Sequence, residues 1–400
     1  MCCITLFSVC TITVALSATS IPAAPAGFVV PDKDPIARRG FDHFYNLEYD
    51  KAIKDFESLQ KEHPDDPFVT NYLVSAVLWK ELYRIGALDS ESYATDTFLD
   101  QKARRPVDPV VRQRVLDLIN RSIALSELRL KSNPNDADAL YARGVARGMR
   151  CTYMGLGEKA WFAAVRAALG AREDHERVLR LNPNYVDAKT MVGVHTYVIG
   201  SLNWAAKILA SMVGVSGNRQ RGLNYLREAA GANSHSSMDA KIALALFLRR
   251  EQRYPEALEV VKSMIDACPR NFLVAIEYAN LLNAAGHGPD AINAYRTTLT
   301  NYRQGKYALA EPELAAFGLG VSLRGQRRFD EAAEAFDSVR TYPNVEKELA
   351  LSASLAAGQM YDTVLKREAA IKLYQEVLAS DSKGPLADMA RKHMKKAYHY

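Results

Sequence analysis

The chain has 400 residues, enough for two or three compact domains or one long repeat array, and 48% of them are apolar, which excludes disorder as its main state. The formal charge is +5. It is not gathered into the basic stripe that nucleic-acid binders carry, so no nucleic-acid partner is expected. Alanine is abundant and β-branched runs are few, so helices are the expected element.

Taken from the N-terminus, the first charged residue is Asp32. Before it lie an apolar stretch from Ile4 to Leu16 and small residues through Ala26, with Ala24-Pro25-Ala26 as an A-x-A-like cleavage site. This pattern predicts a signal peptide over 1–26 and an exported chain, periplasmic or associated with the cell envelope, although Met1-Cys2-Cys3 supplies no positive start. The apolar core is too short to span a membrane as a helix. After cleavage Cys151 and Cys268 would remain, best read as buried free thiols.

A fixed spacing follows. From Gly40, steps of nine, twelve, sixteen and twenty-four residues reach Tyr49, Ala52, Phe56 and Pro64. From Ala245 the same steps reach Tyr254, Ala257, Val261 and Pro269; from Gly320 they reach Phe329, Ala332 and Phe336. Ala279 leads likewise to Ala291 and Tyr295, and Gly358 to Ala370 and Tyr374. The small residue lets a second helix approach, and the aromatic sixteen residues later fills the space between the two. The proline stops the second helix. Residues 85–109 are expected to form a long loop. Two helix boundaries at Asn133-Pro134-Asn135 and Asn182-Pro183-Asn184 lie 49 residues apart, so this unit carries an insertion of about fifteen residues. Asp136 and Asn184 are available as caps. Residues 197–215 are nearly apolar and precede a glycine-rich turn with Gly214, Gly217 and Gly222. The basic run from Arg391 to Lys396 is expected on the solvated face of a last helix.

The phrases "EYDKAIKDFESLQKEHPDDP", "RYPEALEVVKSMIDACPRN" and "RFDEAAEAFDSVRTYPN" resemble tetratricopeptide repeats. The resemblance implies an all-α solenoid of antiparallel helix pairs, a right-handed superhelix with a concave groove and here an irregular central insertion. The expected organisation is a repeat and linker region over 27–137, irregular repeats over 138–237, regular repeats over 238–384 and a capping helix within 385–400. A second resemblance is confined to the central stretch around "NRQRGLNYLREA", which is similar to repeat proteins linked to inclusion-body clearance at the mitochondrial outer membrane.

No catalytic constellation stands out, and neither a cofactor nor a metal is expected. His175, between Asp174 and Glu176, reads as a solvated helix surface because adjacent residues point to different faces. His195 reads as a core or groove histidine, and the glycines of 214–222 read as turn residues. The groove-facing positions of the first helices are Tyr141, Arg249, Arg250, Asn280, Asn283, Arg324 and Gln359. Arginines and asparagines there suit an extended peptide. The leading expectation is a non-catalytic scaffold with a protein or peptide ligand. The alternatives are a membrane-associated or lipid-handling factor using 197–215, through Tyr197, Trp204 and Lys207, and an enzyme in the central insertion.

Overall fold

The computed structural model describes residues 28–88, 105–202, 216–232, 234–380 and 383–400. The expected signal peptide, most of the 85–109 loop, Trp204, Lys207 and Gly214 lie outside them. The described residues form helices and no strand. The pairs are α1 (Pro35–Tyr45) with α2 (Tyr49–Glu62), α3 (Pro67–Arg84) with α4 (Pro109–Ser132), α5 (Ala137–Thr152) with α6 (Trp161–Leu181), and α7 (Val186–Ser201) with α8 (Arg219–Ala230). They continue as α9 (Ser237–Arg250) with α10 (Tyr254–Ala267), α11 (Phe272–Ala284) with α12 (Gly288–Arg303), α13 (Pro312–Gly325) with α14 (Phe329–Val339), and α15 (Lys347–Thr363) with α16 (Arg367–Ser380). A last helix, α17 (Pro385–Lys395), covers the end of the stack. The chain is thus an all-α helical-hairpin solenoid.

Local chemistry starts and stops these helices. Asp34 accepts from the amides of Ile36 and Ala37, Asp66 from Phe68, and Asp136 from Ala139. Asn184 does not cap; it donates its own amide to Asn182, and α7 begins after Tyr185 without a side-chain cap. α2, α4, α6 and α10 each end two residues before a proline, at Pro64, Pro134, Pro183 and Pro269.

The spacing read from the sequence is the packing of each hairpin. Ala52, Phe56, Ala257, Val261, Ala291, Tyr295, Ala332, Phe336, Ala370 and Tyr374 are at most 2% exposed. A Cβ placed on Gly40 would strike the Phe56 ring, one on Gly320 would lie 2.6 Å from Phe336, and one on Gly358 would lie 2.6 Å from Tyr374.

The central unit keeps this logic across its insertion. Gly144 faces the His175 ring as Gly40 faces Phe56, with 31 residues between them in place of 16. The extra length holds the π-helical turn Tyr153–Gly157 and the first turns of α6. Gly200, Gly217 and Gly222 have no positive φ, so the turn reading fails for the two of them it covered, Gly217 and Gly222. They are small because α7 and α8 cross backbone to backbone: a Cβ on Gly222 would lie 2.6 Å from the Tyr197 amide nitrogen. Cys268 is buried and Cys151 half-buried, both as free thiols.

The superhelix closes on itself through contacts between residues more than 190 apart. Tyr45 at the end of α1 donates to Asp239 on α9 at 3.2 Å. The Arg270 amide donates to Asn46 Oδ1 at 2.8 Å, and Asn271 Nδ2 donates to the Tyr45 carbonyl at 2.7 Å. The Arg270 guanidinium bridges Asp42 at 2.8 Å and Glu48 at 3.2 Å.

Candidate functional site

The first helices of successive pairs form the inner layer, and their facing side chains line the concave side. Its N-terminal half is aromatic and acidic. Phe41 packs on Tyr72 at 4.8 Å, Phe68 on Tyr141 at 5.8 Å, and Tyr141 on Tyr185 at 5.1 Å. Asp138, Asp187 and Asp239 stand beside these rings, each six residues before the small packing residue of its helix, Gly144, Gly193 or Ala245. Tyr185 donates to Asp138 at 2.8 Å, the Ser236 amide to Asp187 at 2.8 Å, and Tyr45 to Asp239. Asp239 is exposed, yet partial desolvation by the surrounding protein, and then the charge of Asp187, pushes its carboxyl up to about 6.

The C-terminal half carries most of the residues expected to face the groove. Arg249 is 8% exposed and paired with Glu277 at 2.5 Å, so it is committed inside the stack. Arg250 is half-buried one residue on. Asn280 accepts from the Tyr295 hydroxyl at 2.5 Å, and Asn283 from Ser322 at 2.9 Å. The Arg324 guanidinium lies over the Phe336 ring at 5.8 Å, and Gln359 is half-buried on α15. Tyr141 is the one expected groove residue in the acidic half, and it is only 9% exposed. The structure does not bring the seven together; they spread over five inner helices, α5, α9, α11, α13 and α15.

His175 is not on a solvated surface. It is 1% exposed, its Nδ1 lies 2.7 Å from the Ala171 carbonyl, and its ring meets Tyr141 edge-on at 5.3 Å. Burial lowers its pKa, and that of His195 is lowered to about 4 by burial first, then by the proximity of the titrating His175 and of Arg172. Asp174 beside it is also buried and receives Arg143 at 2.6 Å and Arg147 at 2.8 Å. Sequence reasoning missed this buried group, although counting eight residues back from Pro183 reaches His175 as the same count from Pro64 reaches Phe56.

Asp42, His43 and Glu48 come within ligand distance of one another. Arg270 already occupies the space between the two carboxylates, and with His43 and Lys51 it holds Glu48 at about 2 against the opposing effect of burial. The group therefore acts as a clasp between the first and sixth pairs. Tyr197, one of the three residues named for membrane contact, is 1% exposed and stacked on Phe247 at 3.9 Å. No helix among the described residues is long and apolar enough to cross a membrane.

A family model described as tetratricopeptide repeat matches residues 215–272 and 279–346. No curated protein matches the chain. Among solved structures, YrrB, described as a TPR protein with an unusual peptide-binding site, is 17% identical, covering 55% of this chain and 99% of its own with a TM-score of 0.38. Pseudomonas aeruginosa PilF is 12% identical, covering 66% and 100% with a TM-score of 0.40. Human IFIT1, solved as a dimer with m7Gppp-AAAA, is 15% identical, covering 93% and 88% with a TM-score of 0.41.

Proposed function

Starting from the fact that the chain belongs to the tetratricopeptide-repeat proteins, we propose that it is a non-catalytic scaffold that holds a polypeptide segment against the inner face of its first helices. One observation carries this reading. The inner face runs continuously from α1 to α15 and is lined by aromatic, acidic and amide side chains, while the packing residues that build the stack point between the helices. Such a face offers hydrogen-bonding groups at repeat spacing, which suits an extended chain.

The central histidines support a scaffold over an enzyme. His175 plugs a helix pair and is sealed by Tyr141 and Gly144, with no room for a substrate at its ring. Residues 1–26 support placing the mature chain in the cell envelope; intact-mass measurement of protein from the native host should then give a chain starting at Gly27, and a retained Met1 would refute export by cleavage.

The scaffold is tested by photo-crosslinking in the native host. A benzophenone side chain placed at Asn283 or Gln359 on the inner face should give an adduct with another polypeptide. The same group at the exposed outer positions Lys262 and Lys372 should not. Adducts from the outer positions alone would reject the inner face as the binding surface.

A further inference from the structure

Several buried or half-buried carboxylates of this protein are answered by a cation. Asp174 has Arg143 and Arg147, Asp362 has Arg367, Asp55 has Arg39, and Glu277 has Arg249. Exposed Asp138 and Asp239 and half-buried Asp187, at the same position of three consecutive first helices, accept only from neutral donors among the described residues. Contacts link them: Asp138 is bonded to Tyr185, whose ring packs on Tyr141, and Ser236, three residues before Asp239, donates to Asp187.

A second observation is independent of the carboxylates. The Tyr141 side chain is more than nine-tenths buried, yet its hydroxyl has no hydrogen-bond partner among the described residues. Burial first, and then the charges of Asp187 and Asp239 among others, raise its pKa well above the ordinary tyrosine value. Nearby, a cavity of about 190 Å3 is lined by Phe41, Tyr45 and Met238 and by Ser234 and His235, whose Oγ and Nδ1 are buried without a hydrogen-bond partner among the described residues. A lumen with unneutralised carboxylates, tyrosine faces and spare acceptors matches the chemistry of a cation: carboxylates pair with it and aromatic faces attract it.

We propose that the N-terminal half of the inner face selects a basic polypeptide segment, seating lysine or arginine side chains against the ladder of Asp138, Asp187 and Asp239 between Tyr45, Tyr141 and Tyr185. This rests on the polypeptide-binding reading above and adds the charge of the ligand and the half of the groove that reads it. The sequence-based expectation set arginines and asparagines against an extended peptide; of these Arg249 is spent on Glu277.

The test is fluorescence anisotropy on the full mature chain with two fluorescein-labelled probes, an alternating arginine–glycine peptide and an alternating glutamate–glycine peptide. The arginine–glycine peptide should bind and the glutamate–glycine peptide should not. The double variant Asp187→Asn, Asp239→Asn keeps the Ser236 and Tyr45 bonds available and should weaken binding by about tenfold or more. Tyr141→Phe should weaken it by a smaller factor. Glu334→Gln with Glu368→Gln removes the same charge from exposed outer helices and should leave binding within about twofold, a screened long-range effect. Circular dichroism of each variant verifies the fold. Equal weakening by the inner and outer pairs would overturn the proposal by reducing it to net charge. Binding of the glutamate–glycine peptide, with crosslinks at Asn283 or Gln359, would overturn the basic selectivity and leave the scaffold standing. Failure of both peptides, together with no inner-face adduct in the native host, would remove both.

Discussion

Glycine in a helix normally costs about 0.5–1 kcal/mol against alanine. In α13 the sign depends on the neighbour. A Cβ at Gly320 would lie 2.6 Å from the Phe336 ring, while one at Gly325 would meet nothing within 4 Å. Phe336 is fully buried and cannot retreat. Gly320→Ala should therefore destabilise by roughly 1–3 kcal/mol through overpacking, and Gly325→Ala should stabilise by up to about 1 kcal/mol. Urea unfolding of the two variants reads both signs, and a stabilised Gly320→Ala would show that the hairpin is looser than its geometry. His175 occupies the same plug in the third pair. Its pKa is lowered by burial, and that of His195 is lowered to about 4. Both imidazoles are neutral in the native state, so the unfolded chain takes up more protons below about 6.5. Their contribution is complete above that pH and is lost as pH falls toward about 4; His195 supplies roughly 1–3 kcal/mol of it after allowing for its partial exposure. His175→Phe keeps an aromatic plug without a titrating nitrogen, and should show a smaller fall in Tm between about pH 7 and about pH 4.5. An unchanged acid slope would locate the sensitivity elsewhere.

Each regular hairpin turns through one residue in the left-handed region, two places before its second helix starts. These residues are Leu47, Gln252, Gly286, Arg327 and Leu365, with φ between 58° and 82°. The amide after each returns to a carbonyl five residues back, as Lys366 does to Tyr361 at 2.8 Å. Only Gly286 is the residue type that adopts this conformation without strain. Leu365 is 87% exposed and contributes little packing, so Leu365→Gly should stabilise by roughly 0.5–1 kcal/mol despite the freer unfolded chain. Thermal melting checks it; a lower Tm would mean that the leucine side chain packs in solution. The helix pairs were legible in the sequence because their contacts are local: Gly358 and Tyr374 are sixteen residues apart and carry their partnership in their spacing. His175 escaped because the insertion moved it to 31 residues from Gly144, where a fixed-interval reading finds nothing. The groove was legible only as positions. Whether Arg249 is free depends on Glu277 from the next repeat, and whether Asp239 is free depends on every helix that curls past it.

At the scale of the molecule, a solenoid is stabilised by nearest neighbours, so its curvature can change without melting any pair. What holds this one closed is a clasp of few groups. Asn46 is fully buried and accepts the Arg270 amide, Asn271 donates to the Tyr45 carbonyl, and the Arg270 guanidinium spans Asp42 and Glu48. Three or four such bonds amount to about 2–4 kcal/mol, with the exposed ion pair contributing least. None of the helix-plugging residues takes part. Asn46→Ala with Arg270→Ala should therefore open the ring while each hairpin stays folded. Small-angle scattering should show a larger radius of gyration, circular dichroism the same helix content, and the Tm a fall of only about a few degrees. The opening should also separate Tyr45 from Asp239 and so remove one wall of the acidic lumen, weakening capture of the arginine–glycine peptide even though no carboxylate of the ladder has been changed. An unaltered radius of gyration would mean that the closure follows from the inner helices themselves, with the tyrosine contacts from Phe41 to Tyr185 setting the curvature and the clasp merely recording it.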